Sequence, residues 1–271
     1  MDPCHCVPVW HGWPGLDATP YLATLITLIN SDQLHQQLLS QLERALQRTL
    51  PDAFLERISL SLSSATETTE AISPGAIELA LINGNFDTGP LAPEVMHAVI
   101  ANPAYWAFCW GSGLALARVL CQNPDWVAGL RVLDFGSGSG VAGIAAGLAG
   151  AASVVACDND PDALLATRTN AALNQIDVEL CGDLDALPDM DQPVDLILVA
   201  DVLYDRANLP LLAQLEALGA PLLIADSRIT DLTPWGYQRF ASQGALTMPN
   251  LGEFDEFRTV HFFRAANGAR P

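Results

Sequence analysis

The second half of the chain alternates between short apolar segments and segments of helical character. The apolar segments cover approximately residues 131–135, 152–157, 177–181, 194–200 and 220–225. They lack the polar alternation of half-exposed strands, which is typical of strands covered on both faces. Strands that alternate with helices form βαβ units and a mainly parallel sheet. We therefore expect an α/β fold whose ligands bind outside the carboxyl ends of the strands.

The first 90 residues have a different pattern, and we predict that they form an extension to a domain at residues 91–271. Prolines interrupt the first 20 or so residues, which we expect to be irregular. From Tyr21 to about Leu50, leucines and isoleucines recur at helical spacing and predict a helical cap. Apolar segments that begin at Ile58 and Ile77 are typical of short strands.

The charge of the chain restricts its partners. It carries 31 acidic and 12 basic residues, a formal net charge of −19. Nucleic-acid binding depends on clustered lysine and arginine, so we expect no nucleic-acid partner. A basic protein surface or a cationic small molecule is a better match, and acidity that only maintains solubility is the alternative.

The cysteines and the amino-terminal residues predict a location in the reducing cytoplasm. The six cysteines lack the spacing of a disulfide framework, and residues 1–13 lack the pattern of a secretory signal. The apolar run at residues 141–157 is broken by glycines, so we expect no membrane association. Cys4, His5, Cys6 and His11 depart from the usual zinc-site spacing, so we expect no metal.

The first strand of the predicted sheet leads into a glycine-rich segment. It ends at Asp134 and Phe135, and glycines follow at positions 136, 138 and 140. Glycines let the backbone approach a ligand closely. Residues 138–143, GSGVAG, match the dinucleotide-binding pattern G-x-G-x-x-G, so a dinucleotide is an alternative ligand. Asp134 would repel a pyrophosphate, whereas it would attract the sulfonium and ammonium groups of S-adenosylmethionine, which we therefore favour.

The next two predicted strands also end in acidic residues. Asp158 lies 20 residues after Gly138, the separation at which a carboxylate accepts ribose hydroxyls. Asp158 and Asp160 could instead only cap the following helix. Asp183 follows the third strand, where it could accept a hydrogen bond from an adenine amino group or be a solvated loop residue.

The fourth predicted strand ends in Asp201-Val-Leu-Tyr204, beside the first strand across the switch point. The methyl-accepting group should therefore lie there. No Asn-Pro-Pro-Tyr follows this strand, which argues against methylation of nucleic-acid bases or glutamine. We assign Asp201 to orienting an amine and Tyr204 to closing the pocket or accepting a hydrogen bond, with a buried core aromatic as the alternative for Tyr204.

Three segments together resemble the seven-β-strand class of S-adenosylmethionine-dependent methyltransferases. They are PAYWAFCWGSGLALARVL, VLDFGSGSGVAGIAAGLAGAASVVACDNDPDAL and DLILVADVLYDRANL. Within this class they are most similar to the bacterial relatives of the electron transfer flavoprotein β-subunit lysine methyltransferase. The resemblance extends from about Leu91 to the end of the chain. It implies a Rossmann-like, seven-stranded, mostly parallel sheet with an antiparallel carboxyl-terminal strand, for which RTVHFFRA is the candidate.

The resemblance also implies an activity, which is methyl transfer from S-adenosylmethionine to the ε-amine of a protein lysine. The electron transfer flavoprotein β-subunit is the candidate acceptor, and Asp201 and Tyr204 are the candidate catalytic residues. The predicted cofactor-binding residues are Trp106, Trp110, Gly113, Asp134, Gly136, Ser137, Gly138, Gly140, Asp158, Asn159, Asp183 and Asp201. Two alternatives stay open, a small-molecule amine N-methyltransferase of nicotinamide-like substrates and a catalytically silent binding module. We expect a monomer.

The chain departs from the family pattern after the fifth strand. Relatives usually have Asp-Pro-Gly-Arg there, whereas this chain has Ala225-Asp226-Ser227-Arg228. Arg228 and Arg258 are candidates for holding an acidic patch of the substrate.

Overall fold

The computed structural model describes residues 19–63, 75–189, 192–250, 252 and 254–266. The predicted irregular segment lies almost entirely outside these residues, and so do Cys4, His5, Cys6 and His11. The helices and strands follow in the order α1 (Thr19–Thr49), β1 (Leu55–Ser61), β2 (Ala76–Ile82), α2 (Pro93–Ala101), α3 (Gly111–Gln122), β3 (Arg131–Phe135), α4 (Val141–Leu148), β4 (Ser153–Cys157), α5 (Pro161–Leu173), β5 (Glu179–Cys181), β6 (Leu196–Ala200), α6 (Leu211–Glu216), β7 (Leu222–Asp226), β8 (Tyr237–Gly244) and β9 (Thr259–Ala265).

A seven-stranded sheet forms the centre of the molecule, with the strand order β5-β4-β3-β6-β7-β9-β8. The five strands from β3 to β7 pair in parallel, and β9 pairs antiparallel with both β7 and β8. The predictions of a mostly parallel sheet and an antiparallel strand at RTVHFFRA are confirmed. Chain order reverses between β3 and β6, so a ligand-binding crevice is expected at their carboxyl ends.

Apolar residues cover both faces of this sheet. One face packs against α3 and α4, where Leu116 and Ile144 contact the cluster that contains Val132. The other face packs against α6, whose Leu212 belongs to the cluster that contains Leu133. Each fully buried leucine or isoleucine contributes about 1.5–3 kcal/mol. The two layers therefore hold the carboxyl edge of the sheet rigidly in place.

The amino-terminal extension shares its core with the sheet domain. Strands β1 and β2 form an antiparallel pair, and Leu60 and Leu79 belong to the same buried cluster as α3 and α4. A single helix, α1, occupies the region where helical spacing was found. Its Leu42 and Leu46 pack with Trp106 beside α5. The predicted boundary near residue 90 stays a prediction.

Candidate functional site

A cavity of about 310 Å³ opens at the carboxyl edge of the sheet, where the chain order reverses. This volume is at the lower end of the range for small-molecule sites. The predicted site residues that line it are Trp106, Trp110, Gly136, Gly138, Asp158, Asn159, Asp201 and Tyr204. The five others, Gly113, Asp134, Ser137, Gly140 and Asp183, lie outside its lining. The loops after β3, β4, β6 and β7 therefore converge on one site.

The glycine loop after β3 forms the floor of this cavity. Gly136 has a φ of +71°, and a Cβ atom there would lie 2.5 Å from Cγ2 of Val202. Only glycine avoids both the left-handed backbone penalty and this clash. The loop backbone therefore approaches the cavity without side chains at Gly136 and Gly138.

Helix α5 holds the glycine loop from behind, through two buried polar residues. The Thr167 hydroxyl lies 3.0 Å from Ser137 Oγ and 3.1 Å from the Gly138 carbonyl oxygen. Asn170 donates from Nδ2 to the Ser139 carbonyl at 2.8 Å and accepts from the Ala80 N–H at 2.7 Å. Sequence reasoning missed both residues, although polar residues three positions apart on an alanine-rich helix were a signal. Asn170 thus links the glycine loop to β2.

Asp158 supplies a carboxylate to the cavity and also supports the loop. Its Oδ2 accepts from the Gly138 N–H at 2.9 Å, and its Oδ1 accepts from the Asp160 N–H at 3.0 Å. Asp160 is the residue that caps α5, because its Oδ1 accepts from the Asp162 N–H. The assignment of Asp158 to the ribose hydroxyls stays a prediction.

Asp134 lies beneath the loop instead of in the cavity. The residue is 2% exposed, and its Oδ2 accepts from the Gly143 N–H at 2.8 Å. Burial raises the pKa of its carboxyl to about 7. The carboxylates that line the cavity belong to Asp158, Asp160 and Asp201. The Asp134 carboxylate therefore contacts α4 and not the cavity.

Gly113 and Asp183 have structural contacts of their own. A Cβ atom on Gly113 would lie 2.8 Å from Val141 Cγ1, so this glycine lets α3 approach α4. Asp183 Oδ1 accepts from the Asp185 N–H at 3.0 Å, which forms a local turn. Their predicted contacts with the cofactor stay untested.

The start of α3 holds the Asp201 carboxylate in one orientation. Asp201 Oδ2 accepts from the Ser112 N–H at 2.9 Å, and Oδ1 accepts from the Ser112 hydroxyl. Ser112 is fully buried. Asp201 also has a φ of +52°, which costs of order 1 kcal/mol in a non-glycine residue and persists only where its surroundings impose it. Sequence reasoning missed Ser112, because its partner is 89 residues away.

Aromatic side chains border the cavity beside Asp201. Tyr204 is 40% exposed, so it is not a buried core aromatic. Its ring centroid lies 6.4 Å from that of Tyr105, and Tyr105 lies 5.9 Å from Trp110. Burial is the main cause that raises the pKa of Tyr204, and its interaction with the neighbouring Tyr105 raises this pKa further. Tyr204 therefore presents a neutral phenol to the cavity at physiological pH.

The charges of the cavity fit S-adenosylmethionine better than a dinucleotide. Among the described lining residues there are three carboxylates, of Asp158, Asp160 and Asp201, and Arg228 is the only basic residue. A pyrophosphate would face these carboxylates, whereas a sulfonium and an ammonium are attracted to them. The described residues contain no cluster of histidine, cysteine and acidic side chains that could hold a metal.

Comparisons with known proteins identify a matching family model and several similar methyltransferases. The model of the ribosomal protein L11 methyltransferase (PrmA) family matches residues 120–214. The electron transfer flavoprotein beta subunit lysine methyltransferase of Danio rerio is 46% identical over 103 residues, which cover 38% of this chain and 40% of that protein. The Xenopus laevis protein of the same name is 35% identical over 173 residues, which cover 62% of this chain and 69% of that protein.

Among solved structures, the ribosomal protein L11 methylase from Lactobacillus delbrueckii subsp. bulgaricus is 26% identical. It has a TM-score of 0.40, and the match covers 56% of this chain and 78% of that one. The chain spans 40% of the length of the lysine methyltransferases from Danio rerio and Rattus norvegicus. With the Xenopus laevis relative matched over more than two thirds of its length, the chain belongs to the family of electron transfer flavoprotein beta subunit lysine methyltransferases.

Proposed function

We propose that this protein transfers methyl groups from S-adenosylmethionine to lysine side chains of the electron transfer flavoprotein β-subunit. The observation that carries the proposal is the position of Asp201. Its carboxylate is held by Ser112, and the residue lines the same cavity as the glycine loop and Arg228. A lysine that enters from the aromatic border would meet this carboxylate.

The residues present can hold the cofactor on the β3 and β4 side of the cavity. The backbone of Gly136 and Gly138 borders the space, Asp158 offers a carboxylate, and Trp106 and Trp110 offer ring surfaces. When bound, S-adenosylmethionine supplies an electrophilic methyl group on a positively charged sulfur. Positioning an amine in line with such a group supplies much of the rate enhancement in a displacement reaction.

Asp201 and Tyr204 would act on the lysine. A free lysine has a pKa of about 10.4 and is almost fully protonated at neutral pH. The Asp201 carboxylate attracts the ammonium group and orients it, and the ammonium must lose one proton to water before the neutral amine can attack the methyl carbon. The neutral phenol of Tyr204 closes the site on the outer side and can accept a hydrogen bond from the amine.

The test is methylation of purified electron transfer flavoprotein from the same organism with methyl-labelled S-adenosylmethionine. We expect methyl-lysine on the β-subunit by mass spectrometry. Asp201→Ala should abolish this product while calorimetry still detects cofactor binding, because the glycine loop and Asp158 remain. Unmodified flavoprotein with intact cofactor binding would refute the acceptor, and label found only in small molecules would favour an amine N-methyltransferase. An Asp201→Ala variant of undiminished activity would refute the role of Asp201.

We also propose that the protein works as a monomer in the cytoplasm, without a nucleic-acid or membrane partner. In support, the four described cysteines, Cys109, Cys121, Cys157 and Cys181, are free thiols, as is usual in a reducing compartment. Separately, within the described residues no helix has the length and apolar character needed to cross a membrane. Size-exclusion chromatography with light scattering would test the oligomeric state.

A further inference from the structure

Loops after four neighbouring strands line the cavity at the carboxyl edge of the sheet. The loops after β3 and β4 carry the glycine loop and Asp158, which form the side proposed for the cofactor. The loops after β6 and β7 carry Asp201 and Arg228, which form the side proposed for the acceptor. Since β6 and β7 are neighbours, Arg228 follows the strand that lies one place beyond that of Asp201. A residue placed there can contact the acceptor without touching the cofactor.

Arg228 is anchored at its backbone and stacked at its side chain. Its N–H donates to Oδ1 of the buried Asp226 at 2.8 Å. Its guanidinium carbon lies 4.2 Å from the ring centroid of Phe257 and 5.6 Å from that of Tyr204. Stacking uses the faces of a guanidinium and leaves its N–H edges available for a planar acceptor. Of the ion pairs found between described side chains, none involves Arg228.

The charge around Arg228 gives it a selective role. It is the only basic residue among the described residues that line the cavity, in a chain of net charge −19. Asp158, Asp160 and Asp201 attract the lysine ammonium and repel an acidic group of the acceptor, whereas Arg228 attracts that acidic group. Arg258, the other candidate from the sequence, lies with Arg118 in a separate cavity.

We propose that Arg228 binds a carboxylate of the acceptor protein beside the target lysine and so selects which lysine is methylated. This inference rests on the proposed function. A carboxylate and a guanidinium form a bidentate, charge-assisted pair of defined geometry. Neighbouring strands lie about 4.8 Å apart, and an extended chain advances about 3.3 Å per residue. The carboxylate should therefore lie within about two residues of the lysine, or at a comparable distance on the folded acceptor.

The experiment is a charge-exchange cycle on the acceptor that the wild-type enzyme methylates. After the methyl-lysine is mapped, the nearest Asp or Glu of the acceptor is replaced by Ala and by Lys. With the unchanged acceptor, Arg228→Ala should lower kcat/KM about tenfold, mainly through KM, and Arg228→Glu should lower it further. The acceptor variant that carries Lys should restore the activity of the Arg228→Glu enzyme, and it should not restore that of Arg228→Ala. Cofactor affinity, measured by calorimetry, should be unchanged in Arg228→Ala and in Arg228→Glu.

Arg264→Ala is the matched control, because Arg264 is an exposed arginine stacked on Phe240 at 5.0 Å and lies outside the cavity lining. It should keep wild-type kcat/KM. Equal activity of Arg228→Ala and wild type, or the absence of any acidic residue near the mapped lysine, would overturn the inference. The inference would also be overturned if the Arg228→Glu enzyme lost the same fraction of its activity with every variant of the acceptor. A wild-type enzyme that produces no methyl-lysine would instead overturn the proposed function and this inference with it.

Discussion

Gly140 and Gly219 have almost the same positive φ angle but different surroundings, so alanine at each position separates two costs. Their φ angles are +80° and +79°. An alanine Cβ at Gly140 would lie 2.9 Å from Thr167 Cγ2 and 3.0 Å from Thr167 Cα. At Gly219 nothing lies within 4 Å. Gly219→Ala therefore measures the left-handed conformation alone, whereas Gly140→Ala adds a clash between the glycine loop and α5.

The expected losses in the free energy of unfolding follow from these contacts. The left-handed conformation costs an alanine about 1 kcal/mol, and overpacking costs about 1–3 kcal/mol more. We expect a loss of about 1 kcal/mol for Gly219→Ala and about 3 kcal/mol for Gly140→Ala. Because the atom at 3.0 Å belongs to the backbone of a helix, it cannot move aside by rotating a side chain.

Urea unfolding followed by circular dichroism measures both losses, and calorimetry measures S-adenosylmethionine affinity. Gly140→Ala should also weaken cofactor binding, since the loop borders the cavity, whereas Gly219→Ala should leave it unchanged. If the two variants lose the same free energy of unfolding, within about 0.5 kcal/mol, the contact between the loop and α5 adds no cost to alanine at Gly140, which refutes the expected clash. Unchanged cofactor affinity in Gly140→Ala would show that the conformation of the loop at Gly140 does not affect cofactor binding.

Three further predictions concern polar residues around the site. Ser112→Ala should lower kcat/KM for the acceptor about tenfold with cofactor affinity unchanged, since it removes one of the two bonds that orient Asp201; equal kinetics in steady-state assays would refute this. Asn170→Ala should lower the free energy of unfolding by about 2–5 kcal/mol, because the Ala80 N–H and the Ser139 carbonyl lose their partner; urea unfolding with a loss below about 1 kcal/mol would contradict it. Asp134 has a folded pKa of about 7, raised from 3.8, so stability that is present below pH 3.8 is lost as pH rises towards 7. As pH rises from 3.8 to about 7, Asp134→Asn should therefore gain stability relative to wild type, and a difference in unfolding free energy that does not change over that range would exclude this titration.

The strands of the parallel sheet could be predicted because they are unbroken apolar runs. The observed β3 and β4 begin and end within about one residue of the predicted segments. Strand β8 could not be predicted in this way. Its sequence YQRFASQG is mostly exposed at the edge of the sheet, so burial selects no regular apolar pattern there.

The residues at the strand ends were predictable for a similar reason. In a parallel sheet every strand presents its carboxyl end at the same edge, so order along the chain is enough to gather Gly136, Asp158 and Asp201. All three line the cavity. Thr167, Asn170 and Ser112 were missed, because each acts on a partner that the chain order does not reveal.

The sequence by itself therefore determined the sheet, the edge that carries the site and most of the groups presented there, since these depend on apolar runs and their ends. Only the tertiary structure decided which acidic residue lines the cavity. Asp134 and Asp158 both end buried strands, but the packing of α4 against β3 brings the Gly143 N–H to Asp134 and encloses it. Asp158 stays at the cavity, because its partners are backbone groups of the surrounding loops. Which way such a side chain points depends on what packs over it, and that information is distributed over distant parts of the chain.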